Sequence, residues 1–444
     1  MCGPRKCLDT AVNDKKAIER LKELYMKFRL IYPRWEKLKE QTTFNLPPHG
    51  PAVMAAALPD YVEVDFIDDN LESFSYDDPV DFVGISMMLT TQAKRGWAIA
   101  DEYRKRGVKV IFGGISAMLH AEETLEHADS LFLGEAEGRM DQIFNDFRTG
   151  DLKKVYNYLN DLPPIEIVGP ARRSIYKRDL YYYKGVQMVD LVHASRGCRF
   201  SCYPCAVSYL GGRKFRPRPI DKAIEEMALT GNNRLFVVDN SLAQDTDWEM
   251  ELFREMIPLK KNWCCHTIED KPEVLDCARR AGAWYVYQAI FDTSDFIRER
   301  IKRYHDHDIA VEGTILLGMD NHDEDYIKRL IDFLLDIRLD LAEFTVLTPF
   351  PHTKAYDDMR KQKRIFNHDW NDYNAGKVVF YPKQMTPARL QELYYYAWEK
   401  FYEDEPQQYK MFKLLKKAIE REMASGTYKP RRRDLMRRVF ADTL

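Results

Sequence analysis

Gly197-Cys198-Arg199-Phe200-Ser201-Cys202-Tyr203-Pro204-Cys205 is the stretch on which the fold and chemistry of this chain turn. Its spacing is Cys-x3-Cys-x2-Cys, and it follows directly after an apolar run, 188–193, that reads as a strand. Three thiolates on one compact loop can each ligate an iron at a corner of a cubane, leaving the fourth iron without a protein ligand. An open metal position is what chemistry needs and what a closed structural site lacks. Structural zinc ordinarily takes four protein ligands, and no further Cys or His closes this loop nearby. Three unconnected cysteines are the bland alternative, which fits poorly with the scarcity of cysteine and the place at a strand end. The loop is expected to hold a [4Fe-4S] cluster on Cys198, Cys202 and Cys205.

Outward from the loop, strand-like and helix-like segments alternate. Strands are expected at 188–193, 234–239, 262–267, 284–290, 310–317 and 341–347, with helices between them, for instance at 221–230 and 272–280. Alternation of this kind argues for a parallel sheet. Six such units argue for an open or partial barrel, shorter than the eight-unit form. Upstream, 27–32, 61–67, 81–86, 108–113 and 129–134 are short runs rich in Val, Ile and Phe, with helical apolar spacing at 50–58 and 91–105. That order reads as a doubly wound, Rossmann-like domain, in which ligands bind at the carboxyl ends of the strands near the switch in strand order. Between the two series, 160–187 carries Pro163-Pro164, Gly169-Pro170 and an aromatic run, and reads as a linker. From about Pro382 the chain reads as helical. The fold class is therefore α/β, in four parts: 1–159, 160–187, 188–370 and 371–444.

The length of 444 residues exceeds what one hydrophobic core usually supports. A net charge of -3 gives no reason to expect nucleic acid as a partner. No apolar run is long enough to cross a bilayer, and the start lacks the apolar region of a secretory signal, so a reducing cytoplasm is expected. Eight cysteines in a chain this long do not make a disulfide framework. Cys264, Cys265 and Cys277 read as small buried hydrophobes, and Cys2 and Cys7 as incidental. Residues 410–438 are rich in Lys and Arg, including Arg431-Arg432-Arg433 and Arg437-Arg438. A solvated helical face is the bland reading; the sharper one is docking of an acidic partner, a phosphate-bearing substrate or anionic lipid. Tyr394-Tyr395-Tyr396-Ala397-Trp398 reads as packing on the barrel.

The cysteine loop and its place after the first barrel strand resemble the radical S-adenosylmethionine (SAM) superfamily. The resemblance implies that SAM chelates the open iron and that an external low-potential donor supplies an electron to the sulfonium. A 5′-deoxyadenosyl radical then forms, while the protein positions the reactants and excludes water and oxygen. It also implies SAM contacts. The residue before the last cysteine, often aromatic in relatives and near the adenine, is Pro204, with Tyr203 one place earlier. Asp239 and Asn240 end the second strand, where relatives bind the methionyl amine; turn formation is their bland reading. Asp292 stands where relatives often have a Glu-Ser pair after the fourth strand, ahead of a helical connection that reads as shortened. Gly318 ends the glycine-bearing fifth strand, which passes beside adenine in relatives, and Thr348-Pro349-Phe350-Pro351-His352-Thr353 resembles the segment after the sixth.

Upstream, Pro47-Pro48-His49-Gly50-Pro51, Gly84-Ile85-Ser86-Met87-Met88, Gly113-Gly114 and Gly134-Glu135-Ala136-Glu137 fall in the order seen in cobalamin-binding radical SAM enzymes. So does Phe380-Tyr381-Pro382-Lys383-Gln384-Met385-Thr386-Pro387 further on. This resemblance implies that 1–159 binds cobalamin through Pro48, Ser86, Met87, Met88, Leu89, Thr90, Gly113, Gly114, Gly134, Glu135 and Glu137. The Asp-x-His-x-x-Gly motif of classical cobalamin domains does not occur, and His49, His120 and His127 lack its context. The lower cobalt face is thus expected without a histidine ligand, with Met87, Met88 or Leu89 as packing. In the implied mechanism one SAM methylates reduced cobalamin, and a second generates the radical that takes hydrogen from an unactivated carbon, which then accepts the methyl. The expected activity is C-methylation of an organic or protein substrate. Cyclisation, rearrangement or oxidation without methylation is a second reading, and a non-catalytic cluster or cobalamin sensor a third.

Overall fold

The computed structural model describes residues 25–40, 44–183, 186–211 and 213–428. The described chain divides into two compact units, one of 25–34, 50–158 and 172–176, the other of 35–49, 159–171 and 177–428. Cys2, Cys7 and the arginines beyond 428 lie outside the described residues. No helix among the described residues is long and apolar enough to cross a membrane.

The first unit holds a six-stranded sheet of β1 (Met26–Tyr32), β2 (Val62–Asp68), β3 (Phe82–Ser86), β4 (Lys109–Gly113), β5 (Ser130–Leu133) and β6 (Val155–Asn157). The order is β2-β1-β3-β4-β5-β6, and every adjacent pair is parallel. Strands covered on both faces read as continuous apolar runs, and in β3 the first four of five residues are buried. Chain order reverses between β1 and β3, the flavodoxin-like switch that opens a crevice at the carboxyl ends of those strands. Sequence reading gave the first five strands and missed β6. That strand has three residues with only Tyr156 buried, so it carries no apolar run.

The second unit holds β7 (Asp190–Val192), β8 (Arg234–Val237), β9 (Asn262–Cys265), β10 (Ala283–Ile290), β11 (Ala310–Leu317) and β12 (Leu341–Val346). These six parallel strands pair in strict chain order, with β7 and β12 at opposite ends, so the barrel is open. One helix or more follows each strand, from Ile220–Leu229 after β7 to Lys354–Lys361 after β12. One face of the sheet, with Val237, Cys265, Val286, Val311 and Phe344, packs against these helices. The opposite face carries Phe236, Cys264, Tyr285 and Tyr287 and receives Met411, Leu414 and Ala418 of the helix Gln407–Ala424.

One expectation changes. The connection after β10 is not shortened: it contains a twelve-residue helix, Asp295–Asp306, whose apolar stripe is only Ile297, Ile301 and Tyr304. The basic C-terminal stretch, as far as it is described, spends its cations on its own unit. Lys417 and Arg421 pair with Asp308, Lys413 pairs with Glu405, and Lys410 lies over the Phe401 ring. The stretch read as a linker contains three short 3-10 turns and a hairpin between Tyr182–Tyr183 and Val186–Gln187, and Val168 and Tyr181 in it are buried. Tyr394 and Trp398 are buried in the barrel core beside Phe344.

Candidate functional site

The cysteine loop is held at both ends. Ser195 and Arg196 pair antiparallel with Pro217 and Arg216, which turns the loop into the tip of a hairpin set at the end of β7. Gly197 opens it at φ 75°, and a Cβ there would lie 2.1 Å from the carbonyl oxygen of Lys214. Only glycine fits both the conformation and the approach. At the hairpin's return, Arg218 is fully buried with Glu226. Its guanidinium bonds the Glu226 carboxylate at 2.5 Å and the His193 carbonyl at 2.7 Å. His193 in turn lies 2.7 Å, through Nδ1, from His49 Nε2 and accepts from Arg196 at Nε2. An Arg donates but cannot accept, so the proton of His193 sits on Nδ1 and is donated to His49.

Cys198, Cys202 and Cys205 are free thiols, the last two exposed. All three line one cavity of about 530 Å³ with Asn240 and Ser241 from the end of β8, His266, Thr267, Glu269 and Asp270 from the end of β9, and Arg300. Within the loop, Cys205 N–H donates to the Cys202 carbonyl at 2.9 Å, and Val207 N–H points at the Cys205 sulfur. The donor set is three unpaired thiols on one short loop, each able to take a separate iron, and it fits a [4Fe-4S] cluster. Among the described residues no three His, Cys, Asp or Glu converge as a single ion would require.

The SAM candidates part company here. Asn240 lines the cavity with the cysteines. Asp239 is buried and faces its own scaffold: one oxygen accepts from Ala194 N–H at 2.8 Å, the other from the Ser195 hydroxyl. Burial pushes its carboxyl up to about 6, against the pull of those hydrogen bonds. Tyr203 is 42% exposed, and neither it nor Pro204 is among the lining residues. Asp292 accepts from the N–H and hydroxyl of Ser294, the residue that caps Asp295–Asp306. Gly318 abuts Leu390 and Phe380.

Sequence reading missed the far wall. His266 Nδ1 is 2.6 Å from the Asp239 carbonyl, which fixes the proton there and leaves Nε2 an acceptor, and burial holds the ring below its ordinary pKa. Asp270 is pushed up by burial, yet Arg303 and Arg300 outweigh that and hold it below the usual carboxylate range. The signal for His266 to Asp270 was their place just past a strand end; Arg300, on a helix, had none.

In the first unit the loop after β3 stands at the switch point. Met88 and Leu89 N–H groups both donate to Gln92 Oε1, at 2.7 and 2.9 Å, and Gln92 Nε2 donates to the Pro33 carbonyl after β1. Gly114, at φ 90°, lies against Met87: a Cβ would be 2.4 Å from its carbonyl oxygen. Met87 is buried with its sulfur against Gly96, whereas Met88 is 49% exposed. Ser86, Leu89, Gly113, Gly134 and Glu135 are partly exposed at the strand ends, and Glu137 and Thr90 are buried, the latter 3.1 Å from His120. The Ser116 hydroxyl just past Gly114 is buried without a partner. A crevice with bare backbone and an unspent hydroxyl fits a large polar-edged ring such as cobalamin. The three histidines are engaged locally: His49 with His193, His120 with Thr90, and His127 with Asp101. Pro48 falls in the second unit.

No protein-family model matches the chain. Two curated proteins of Chlorobaculum tepidum are similar to it. A bacteriochlorophyllide d C-12(1)-methyltransferase is 27% identical over 77% of this chain and 79% of its own length. A bacteriochlorophyllide d C-8(2)-methyltransferase is 24% identical over 76% and 82%. Among solved structures, the radical SAM methyltransferase TsrM of Kitasatospora setae, with tryptophan and a SAM analogue bound, superposes with a TM-score of 0.61 at 15% identity, over 83% of each chain.

Proposed function

The chain belongs to the cobalamin-binding radical SAM family, and from that premise we propose that it is a cobalamin-dependent radical SAM C-methyltransferase. The observation that carries the proposal is the meeting of three free thiols with polar groups from the next two strand ends in one cavity. When bound, a [4Fe-4S] cluster, SAM and cobalamin supply radical initiation and methyl carriage. The chain's own part is binding and exclusion. Cys198, Cys202 and Cys205 hold the cluster. Asn240 and Ser241 offer the amine of SAM its acceptors, and Arg300, on the opposite wall, offers its carboxylate a cation.

Asp239 is a positioning residue in this reading. By accepting from Ala194 and Ser195 it fixes the strand end from which the cysteine loop springs and aims its neighbour Asn240 into the cavity. Tyr203, Pro204, Asp292 and Gly318 are left to shape the rim and the barrel end. In the first unit, Ser86, Met88, Leu89, Gly113, Gly114, Gly134 and Glu135 offer a partly exposed edge for cobalamin, and Met87, Thr90 and Glu137 support it from within. His49, His120 and His127 are each hydrogen-bonded locally and are given no part in holding cobalamin. The substrate is proposed as a small organic molecule; bacteriochlorophyllide d is the named substrate of the two relatives. A reducing cytoplasm, where the six free thiols among the described residues persist, is the proposed setting, and a low-potential donor is the proposed source of electrons.

The test is anaerobic reconstitution with iron, sulfide and cobalamin, followed by SAM carrying a labelled methyl group. Label retained in the corrinoid fraction and formation of 5′-deoxyadenosine are both expected. Deoxyadenosine without label transfer overturns the methyltransferase reading, and absence of both overturns the radical SAM reading.

A further inference from the structure

The open barrel has a lumen whose floor is acidic. Side chains alternate across β10, β11 and β12. Outward positions such as Val286, Val311, Ile315 and Phe344 are buried against the helices. Inward positions divide by height. In the lower half Tyr285, Ala310 and Leu341 are buried with Leu414 and Ala418 of the helix Gln407–Ala424. Above them Tyr287, Thr314, Leu316, Glu343 and Thr345 are partly exposed, and Ala289 is exposed. The barrel is thus filled below and hollow above.

At the boundary stands Glu312, an inward residue of β11 that is only 3% exposed. One of its carboxylate oxygens has no partner, and no Lys or Arg among the described residues pairs with it. Tyr287 donates to the carboxyl, and the Tyr287 hydroxyl itself accepts from Tyr285 at 2.8 Å. Glu343, opposite Thr314 on the neighbouring strand, is one inward position higher. Burial pushes the Glu312 carboxyl well above its ordinary value; the Glu343 charge adds to this, and the Tyr287 bond opposes it. None of the inward residues of these three strands is a Lys or Arg. A buried carboxyl beside a second one is costly until something completes it. A neutral donor would satisfy the spare oxygen, but only a cation also offsets the like charges. A single metal ion is poorly served, since among the described residues no three His, Cys, Asp or Glu converge. The His266 ring, 5.6 Å from that of Tyr287, adds a neutral acceptor to the wall.

We propose that Glu343, Tyr287 and Glu312 form a site for a protonated amine, so that the molecule entering the barrel as substrate carries a basic nitrogen. Taking the occupant for the substrate rests on the proposed function; the amine site itself does not. Hydrogen bonds from an ammonium to a carboxylate are roughly twice as strong as those between neutral groups. The same two carboxyls repel an acid of equal shape, so the site selects by charge as well as by fit.

The experiment titrates the cluster-loaded full chain with two probes of one shape, n-hexylamine and n-hexanol, at neutral pH in a calorimeter. Hexylamine is expected to bind at least about tenfold more tightly than hexanol. Glu343→Gln and Glu312→Gln keep the shape of each side chain, and each should weaken hexylamine about tenfold while leaving hexanol unchanged. Glu251→Gln, exposed on the helix Thr246–Met256, is the control for net charge. Equal binding of the two probes overturns the site, as does hexylamine affinity that is unchanged in both variants or falls equally in the control. Hexylamine should still bind after SAM has been added; if SAM abolishes its binding, the carboxyls serve SAM and the substrate site is overturned. A loaded chain that binds hexylamine but forms no deoxyadenosine overturns the proposed function and leaves the amine site standing.

Discussion

The two sheets of this chain are both parallel and both six-stranded, yet they make their candidate sites by different means. In the first, chain order reverses between β1 and β3, and the crevice this opens is bounded by backbone: Gly114 against Met87, and two N–H groups gathered by Gln92. In the second the strands never change direction of order, so no crevice is given by topology. Its site is instead assembled from side chains at the ends of β7, β8 and β9. One site is a matter of conformation, the other of chemistry. Substitutions should therefore separate them.

The largest effect is expected at the chemical site. Cys202→Ala removes one of three iron ligands, and deoxyadenosine formation should fall below detection, with iron content dropping in parallel. Cobalamin uptake by the same variant should be kept. If SAM cleavage survives, the thiols are not the cluster ligands and the contrast between the sheets fails. Next is the scaffold beneath that loop. Glu226→Ala leaves Arg218 buried without its carboxylate, which should cost about 3–5 kcal/mol of stability in urea unfolding, with Arg218→Met/Glu226→Leu recovering most of it.

At the conformational site, Gly114→Ala demands both a left-handed backbone and a Cβ 2.4 Å from a carbonyl oxygen. A cost on the order of 2 kcal/mol is expected, and with it a loss of cobalamin binding measured by equilibrium dialysis. Deoxyadenosine formation should continue, since nothing in the cysteine loop has changed. A variant that loses both activities would show that the two sites are not separable. Asn240→Ala sharpens the same contrast on the other side. Removing one hydrogen-bonding group to a charged ligand should weaken SAM binding about tenfold, seen as a higher KM with little change in kcat.

Much of the architecture was legible because parallel strands buried on both faces have to be apolar along their length. The runs read at 262–267 and 310–317 contain β9 and β11, and those at 81–86 and 108–113 contain β3 and β4. The helix Asp295–Asp306 was underestimated because Arg298, Glu299, Arg300, Lys302 and Arg303 surround a stripe of three apolar residues. The cysteine loop was legible because its chemistry is written in local spacing. The wall opposite was not: His266, Asp270 and Arg300 come together only because the loop after β9 meets the helix after β10, through Asp270 with Arg300 and Arg303 and Ile268 with Tyr304, and no local pattern announces that. Asp239 is the converse case, a polar strand-end residue whose carboxylate accepts bonds from its own scaffold.

A last test concerns a carboxyl behind that wall. Glu249, on Thr246–Met256, is fully buried; one oxygen accepts from Glu269 N–H at 3.2 Å and the other has no partner. Burial pushes it up to about 8, against the hydrogen bond from Glu269 N–H; the Glu269 charge adds to the shift and Lys271 opposes it. The folded chain therefore keeps a proton that the unfolded chain releases near its ordinary value of 4.5. Between those two pH values the folded state binds more protons, so this group's contribution to stability falls as pH rises and is fully present only below the lower value. Glu249→Gln has no such proton to lose. Its Tm relative to wild type should climb from pH 5 to pH 8 by an amount on the order of a few kcal/mol in stability at most, and level off above. A difference that is flat across this range would mean that Glu249 is ionised in the fold, and would place water or a cation beside the unpartnered oxygen.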